Sequence, residues 1–302
     1  MTGATGTDLA CFGYLAFAQV TSVAAYPAAN SGAQVVQVFP SLAGDAPITA
    51  ITARRLGCTA HLVSNKVSLD PAGQTVLDML NTAGVTHQAV PASTGGLGTP
   101  QLTIVTDDAG TRTWFAWLGN AADQLATADL TELTTARLAY VDCYRLIDAA
   151  AAAAITASRA PLLLNLGGDP LSEAVASAAA NRNVAFVQTN LDEHDADGAE
   201  HVAAQLFDRL GPESVVITLG RLGALGHTAS ATFRASAPQV PVRHTHGAGA
   251  AFSGGLANAY LTGATAWQAI HAACLLATAH CATSAAIPAP RLEPDPIKEP
   301  QP

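Results

Sequence analysis

Short apolar stretches rich in β-formers alternate along this chain with longer stretches rich in Ala and Leu, and that alternation fixes the class of fold. Strands are predicted at residues 60–63, 138–141, 162–166, 184–188 and 215–219. Helices are predicted at 48–56, 73–83, 170–181, 200–210 and 250–261. Strands apolar at every position need cover on both faces, and strand–helix–strand crossovers pair them in parallel. The expectation is therefore an α/β fold in three layers: a central, mostly parallel sheet with helices on both faces.

Two regions break the rhythm. Residues 34–39 and 102–118 each read as strand without an intervening helix, and Asp107-Asp108-Ala109-Gly110 has hairpin-turn chemistry. They predict a small β lid, built from about residues 11–40 and 88–118, over one edge of the main sheet. Residues 1–287 are expected to form one domain. The stretch 288–302 carries six prolines and little that would bury, so it is expected to be a loosely packed tail.

Composition narrows the partners. At 302 residues, 49% of them apolar, the chain is long enough for a substantial core. A formal net charge of −9 argues against nucleic acid as the main partner. The five cysteines show no C-x-x-C spacing and read as reduced thiols of a cytoplasmic protein. Residues 1–8 lack the basic-then-apolar pattern of a signal peptide. The apolar run 266–287 is interrupted by His271, His280 and Gln268, so it reads as core helix and not as a membrane span.

Three segments carry candidate chemistry. In the first, His244-Thr245-His246-Gly247-Ala248-Gly249-Ala250-Ala251-Phe252, a glycine turn runs into an apolar helix. Such a turn offers consecutive amides and a helix dipole to an anion, although an ordinary glycine-rich loop has the same local pattern. The second, Thr218-Leu219-Gly220-Arg221-Leu222-Gly223, follows a predicted buried strand, where α/β proteins hold ligands. A plain turn into another strand would look alike. The third is Asn190-Leu191-Asp192-Glu193. Read as a helix start, it puts Asn190 and Glu193 on one face, where a carboxylate can order Mg²⁺; a helix cap with a first-turn acid has the same sequence.

In order and spacing these segments resemble the ribokinase-like carbohydrate kinases, the PfkB family, from about Gly13 to Ile287. The early glycine region is similar to Ala43-Gly44-Asp45 leading to Ala53-Arg54-Arg55-Leu56-Gly57, and the family's "V-G-x-x-G-x-D-x-x-G" run to residues 63–73, with Ser64 and Ser68 in place of glycines. The "N-x-x-E" motif matches Asn190 and Glu193, and "T-x-G-x-x-G" matches Thr218, Gly220 and Gly223. The "D-T-x-G-A-G-D-x-F" signature matches residues 244–252, with Ala250 at its second Asp.

The resemblance implies an ATP- and Mg²⁺-dependent transfer of phosphate to a hydroxyl of a small-molecule acceptor. It assigns Gly247, Ala248 and Gly249 to the phosphate, Thr218, Gly220, Gly223 and Asn190 to the nucleotide, and Asn190 and Glu193 to the metal. Gly44, Asp45, Ala18 and Ile48 fall at acceptor positions. A homodimer is implied as well. Three departures stand out. The family's general base is replaced by Ala250, an acceptor-binding Asp falls at Ala18, and an Asn falls at Ile48. Positioned proton transfer contributes about 10²–10⁴-fold to rate, whereas positioning and charge stabilisation carry most of phosphoryl transfer. Three explanations of Ala250 stand open: an engineered Asp→Ala change, a natural pseudokinase that binds without turnover, or altered chemistry with another base such as His246.

Overall fold

The computed structural model describes residues 6–90, 98–108 and 110–283. The proline-rich stretch 288–302 and Ala109 of the predicted hairpin turn lie outside those residues.

The chain opens with β1 (Leu9–Phe12), β2 (Ala16–Val23) and β3 (Val35–Ala43), then α1 (Asp45–Arg55), β4 (Ala60–Val63), α2 (Pro71–Ala83) and β5 (Thr86–His87). The hairpin β6 (Gln101–Thr106) and β7 (Arg112–Trp117) is followed by short α3 (Ala121–Ala126) and α4 (Thr131–Thr135). A regular alternation comes next: β8 (Leu138–Asp142), α5 (Asp148–Ala157), β9 (Leu162–Gly167), α6 (Glu173–Ala179), β10 (Val184–Asn190), α7 (Ala199–Leu210) and β11 (Ser214–Thr218). β12 (Ala224–His227) and β13 (Thr232–Ala235) form a ribbon, and α8 (Ala248–Leu261) and α9 (Ala266–Cys281) close the described chain.

The main sheet runs β13-β12-β11-β10-β9-β8-β1-β4-β5. It is parallel from β5 to β11 and antiparallel at β12 and β13. Side chains alternate faces along each strand. Leu9 and Cys11 of β1, with Leu138 and Tyr140 of β8, pack under α1, α2, α8 and α9. Ala10 and Phe12, with Ala139 and Val141, pack against α5, α6 and α7 on the other face. Both faces are buried, as strands apolar on both sides require.

Local chemistry sets the helix ends. Asp70 caps α2 by accepting the Gly73 N–H at 2.7 Å, Pro71 occupies the first turn, and Gly84 ends the helix in the left-handed region. Thr265 and Gln268 form a reciprocal capping box on α9. α6 is shorter than the predicted 170–181, because Ser172 caps it by accepting the Val175 N–H at 3.1 Å.

A second sheet, β3-β2-β6-β7, forms the lid. The strand at residues 9–12 belongs to the main sheet, so the first lid segment begins at Ala16 and continues to Ala43, against the 11–40 expected. The β6–β7 hairpin closes with the Gly110 N–H donating to the Asp107 carbonyl at 3.0 Å. Ala16, Ala18, Val20, Leu102 and Ile104 form a buried apolar strip on one lid face. No helix among the described residues is long and apolar enough to cross a membrane.

Candidate functional site

Gly247 sits in the left-handed region at φ 75° and serves as the N-cap of α8, with no side-chain cap bond to the helix. The Ala248 N–H turns back to the Thr245 carbonyl at 3.3 Å, and no side chain caps the rest of the first turn. A Cβ added at Gly249 would meet nothing within 4 Å. Behind this open mouth α8 is tightly held. A Cβ at Gly254 would strike Thr52 at 2.6 Å, and one at Gly255 would strike Leu276 at 2.9 Å. Gln188 of β10 braces the first turn by donating to the Gly249 carbonyl at 3.3 Å and accepting from Ser253 at 2.9 Å. Ala250 is fully buried beside α1, where the Thr49 hydroxyl donates to its carbonyl at 3.2 Å. There is no acid in the first turn of α8.

His246, one residue ahead of the turn, is 5% exposed, and its Nε2–H donates to the Leu42 carbonyl at 2.8 Å. Burial pushes its imidazole down to about 4. A ring so held has little basicity near neutral pH. His244 and His280 lie beside it, with ring centroids 4.9 Å apart.

Gly44, Asp45 and Ile48 sit where α1 begins. Gly44 has φ 98°, and a Cβ there would lie 2.0 Å from the Tyr14 carbonyl. Gly44→Ala is therefore expected to destabilise the protein by about 2–5 kcal/mol through strain and overpacking. Urea unfolding checks this, and a loss below about 1 kcal/mol would contradict the close approach. Ile48 reaches toward Gly247, at 3.2 Å from a Cβ placed there, and Ala18 lies in the lid's buried strip. Both apolar departures are thus fully packed positions.

Asp45 belongs to a polar cluster that was not singled out from the sequence. Tyr144 donates to Asp45 Oδ2 at 2.6 Å and Tyr140 to Asp142 Oδ1 at 2.7 Å. The Ala46 N–H donates to Asp142 Oδ2 at 3.0 Å. The Asn165 amide nitrogen stands 3.1 Å from Asp45 Oδ2 and 3.3 Å from Asp142 Oδ1. Asp142 ends β8, Asn165 lies near the end of β9, and both strands neighbour in the sheet. Burial, and then the Asp45 carboxylate, pushes Asp142 up to about 8. Burial, and then the Asp142 and Asp45 carboxylates, raise Tyr140. Arg112 of β7 adds a positive charge near Tyr14 and His246.

Asp142 makes stability depend on pH. Its native value lies above the ordinary 3.8, so its contribution is complete below about pH 4 and is lost as pH rises through about 8. One proton held only by the native state gives a slope of at most about 1.4 kcal/mol per pH unit. Relative to Asp142→Asn, the protein is expected to lose stability between pH 5 and 8. Urea midpoints at three pH values measure the difference, and parallel curves would contradict it.

Farther along the sheet, β11 ends at Thr218. The loop beyond it closes through the Leu219 N–H to the Gly223 carbonyl at 2.8 Å. Gly220 (φ 55°) and Gly223 (φ 93°) are both left-handed, and a Cβ at Gly223 would lie 2.0 Å from the Ala235 carbonyl. Asn190 does not share a helix face with Glu193, as the sequence suggested. It ends β10, paired to Thr218, while Glu193 opens a 3₁₀ turn at Glu193–Gly198. Glu193 accepts the Arg221 N–H at 2.9 Å and pairs with the Arg221 guanidinium. It therefore ties the Gly220–Leu222 turn to the end of β10.

A surface cavity of about 670 Å³ lies between α6 and α7, lined by Leu166, Asp169, Leu171, Val202 and Arg209 among others. It contains none of the motif residues and sits against the helix layer opposite α8.

A profile described as pfkB family carbohydrate kinase matches residues 7–292. Among solved structures, a microbiome-derived acarbose kinase superposes with a TM-score of 0.73 at 19% identity, over 92% of this chain and 94% of that one. The nucleoside kinase of Burkholderia thailandensis, in complex with inosine, gives 0.71 at 18%, over 91% of each chain. The ribokinase of Arabidopsis thaliana, complexed with ribose and ATP, gives 0.70 at 17%, over 94% and 96%. No curated protein sequence matches the chain.

Proposed function

The chain belongs to the pfkB family of carbohydrate kinases, and from that premise we propose that it is a divergent small-molecule phosphotransferase. It uses ATP and Mg²⁺ to phosphorylate a hydroxyl of a sugar-like or nucleoside-like acceptor, with proton transfer altered or impaired at Ala250. The observation that carries the reading is the head of α8, which no side chain caps and which opens onto free space at Gly249.

In this reading the amides of Gly247, Ala248 and Gly249 hold the transferred phosphate. Thr218, Gly220 and Gly223 line the nucleotide. Bound Mg²⁺ would neutralise phosphate charge, ordered by Asn190 and Glu193. Glu193 would take part through water, or after its release from Arg221. Asp45, backed by Asp142 and Asn165, receives acceptor hydroxyls, and Ala18 and Ile48 give the pocket an apolar wall. That wall suits an acceptor less polar than a plain furanose. A second copy of the chain would cover the exposed Val36 and Phe115 of the lid. The unpaired thiols fit a cytoplasmic setting.

A second reading, a pseudokinase that binds nucleotide or metabolite without turnover, is favoured by one observation: α8 carries no first-turn acid. Calorimetric titration with Mg·ATP, followed by ADP release over pooled sugars, nucleosides and aminopyrimidines, separates the two. Acceptor-dependent ADP release supports the enzyme. Binding alone supports the second reading. Absence of nucleotide affinity contradicts both.

A further inference from the structure

We propose that His246 is a positioning residue that couples the phosphate turn of α8 to the lid strand and the acceptor segment ahead of α1. The roles of the two coupled ends rest on the phosphotransferase reading above.

The connection from the end of β3 is a buried strut. A carbonyl can only accept, so the 2.8 Å contact to the Leu42 oxygen fixes the His246 tautomer with its proton on Nε2. The Ser41 hydroxyl stands 3.2 Å from the same nitrogen. Leu42 is one residue short of the end of β3, and Gly44 and Asp45 follow at once. Three positions therefore separate the strut's foot from the carboxylate that joins the Asp142–Asn165 cluster. At its other end, His246 adjoins Gly247, the left-handed N-cap of α8.

The backbone at His246 is held from behind as well. Its carbonyl accepts the His280 Nε2–H at 2.6 Å, from the last turn of α9. A Cβ at Gly247 would have Ile48 at 3.2 Å and His280 at 3.3 Å, so the turn has little room to slide. Burial pushes both imidazoles down to about 4, so they stay neutral donors from pH 6 to 8. With α9 as the fixed wall, His246 carries displacement of the end of β3 to the phosphate turn, while the Thr49 hydroxyl on the Ala250 carbonyl ties α1 to the first turn separately. Coupling between two binding ends is reciprocal. An anion held at the turn must then stiffen residues 41–46, though it touches none of them.

Hydrogen–deuterium exchange, with and without Mg²⁺ and β,γ-imido-ATP, tests this on the wild type, His246→Phe and His246→Gln. Phe keeps most of the ring volume without the donor, and Gln restores a donor at similar reach. In the wild type, nucleotide is expected to slow exchange about fivefold or more at both 247–251 and 41–46. In His246→Phe the protection should remain at 247–251 and vanish at 41–46, and His246→Gln should recover part of it. A ring that merely fills space would leave 41–46 protected in the Phe variant, and that result overturns the inference. So does a wild type protected at the turn alone, which decides the matter even if the Phe variant fails to fold. A wild type protected at neither segment removes the nucleotide reading, and this inference with it.

Discussion

Ala250→Asp is expected to raise phosphoryl transfer by about 10²–10⁴-fold, the usual contribution of a positioned proton acceptor. Position 250 lies in the first turn of α8, behind the glycine amides and against α1. A carboxylate there gains from the helix dipole and has the Thr49 hydroxyl close to its backbone. The opposing effect is burial, because the alanine methyl is fully enclosed and Ile48 packs nearby. Ala250→Asn is the matched control, with the same shape and no base. Initial rates of ADP release for the three proteins, each with the pooled acceptors, make the measurement. A gain confined to Ala250→Asp identifies proton transfer as what this chain lacks. Equal rates in all three would mean that the chemistry runs without a carboxylate at this position. The pseudokinase reading predicts release from Ala250→Asp alone, with a wild-type rate at background.

The layered architecture was legible because the central strands are buried on both faces. The runs at 162–166 and 215–219 are apolar except for Asn165 and Thr218 toward their carboxyl ends, and strands apolar on both faces need helices above and below. The glycine turn was legible for a different reason, since few residues other than glycine hold φ near 75° at the mouth of a helix. The Asp45–Asp142–Asn165 cluster was not. The three are far apart in the chain; β8 and β9 are neighbours in the sheet, which brings Asp142 beside Asn165, and the start of α1 lays Asp45 over them. A signal for two of them did exist: each is a lone polar residue at the carboxyl end of an apolar strand, where α/β proteins place ligands.

Asn190 and Glu193 show the opposite failure. Three-residue spacing fits a helix face, yet β10 continues through Asn190 because its backbone pairs with Thr218. A polar residue after an apolar run does not mark by itself where a strand stops. The pairing of Glu193 with Arg221 joins two loops across the sheet edge, and nothing local in the sequence announces it. The lid boundary moved for a similar reason. Residues 9–12 carry the same apolar signal as the strand after them, and only pairing with β4 and β8 assigns them to the main sheet.

The central claim is that the head of α8 holds the phosphates of a nucleotide, and Gly249→Asp tests it most directly. Gly249 is exposed, its φ lies outside the left-handed region, and a Cβ there meets open space. An aspartate in the first turn is also favoured by the helix dipole, by about 0.3–1 kcal/mol. The fold should therefore be kept. A like charge about 4 Å from a bound phosphate costs up to about 4 kcal/mol at the effective dielectric of a protein surface. Calorimetric titration of wild type and Gly249→Asp with Mg·ATP is the measurement, with thermal unfolding alongside. The account predicts affinity about a hundredfold weaker in the variant, with its melting temperature unchanged or raised. Equal ATP affinity in the two proteins would contradict it and place the nucleotide elsewhere.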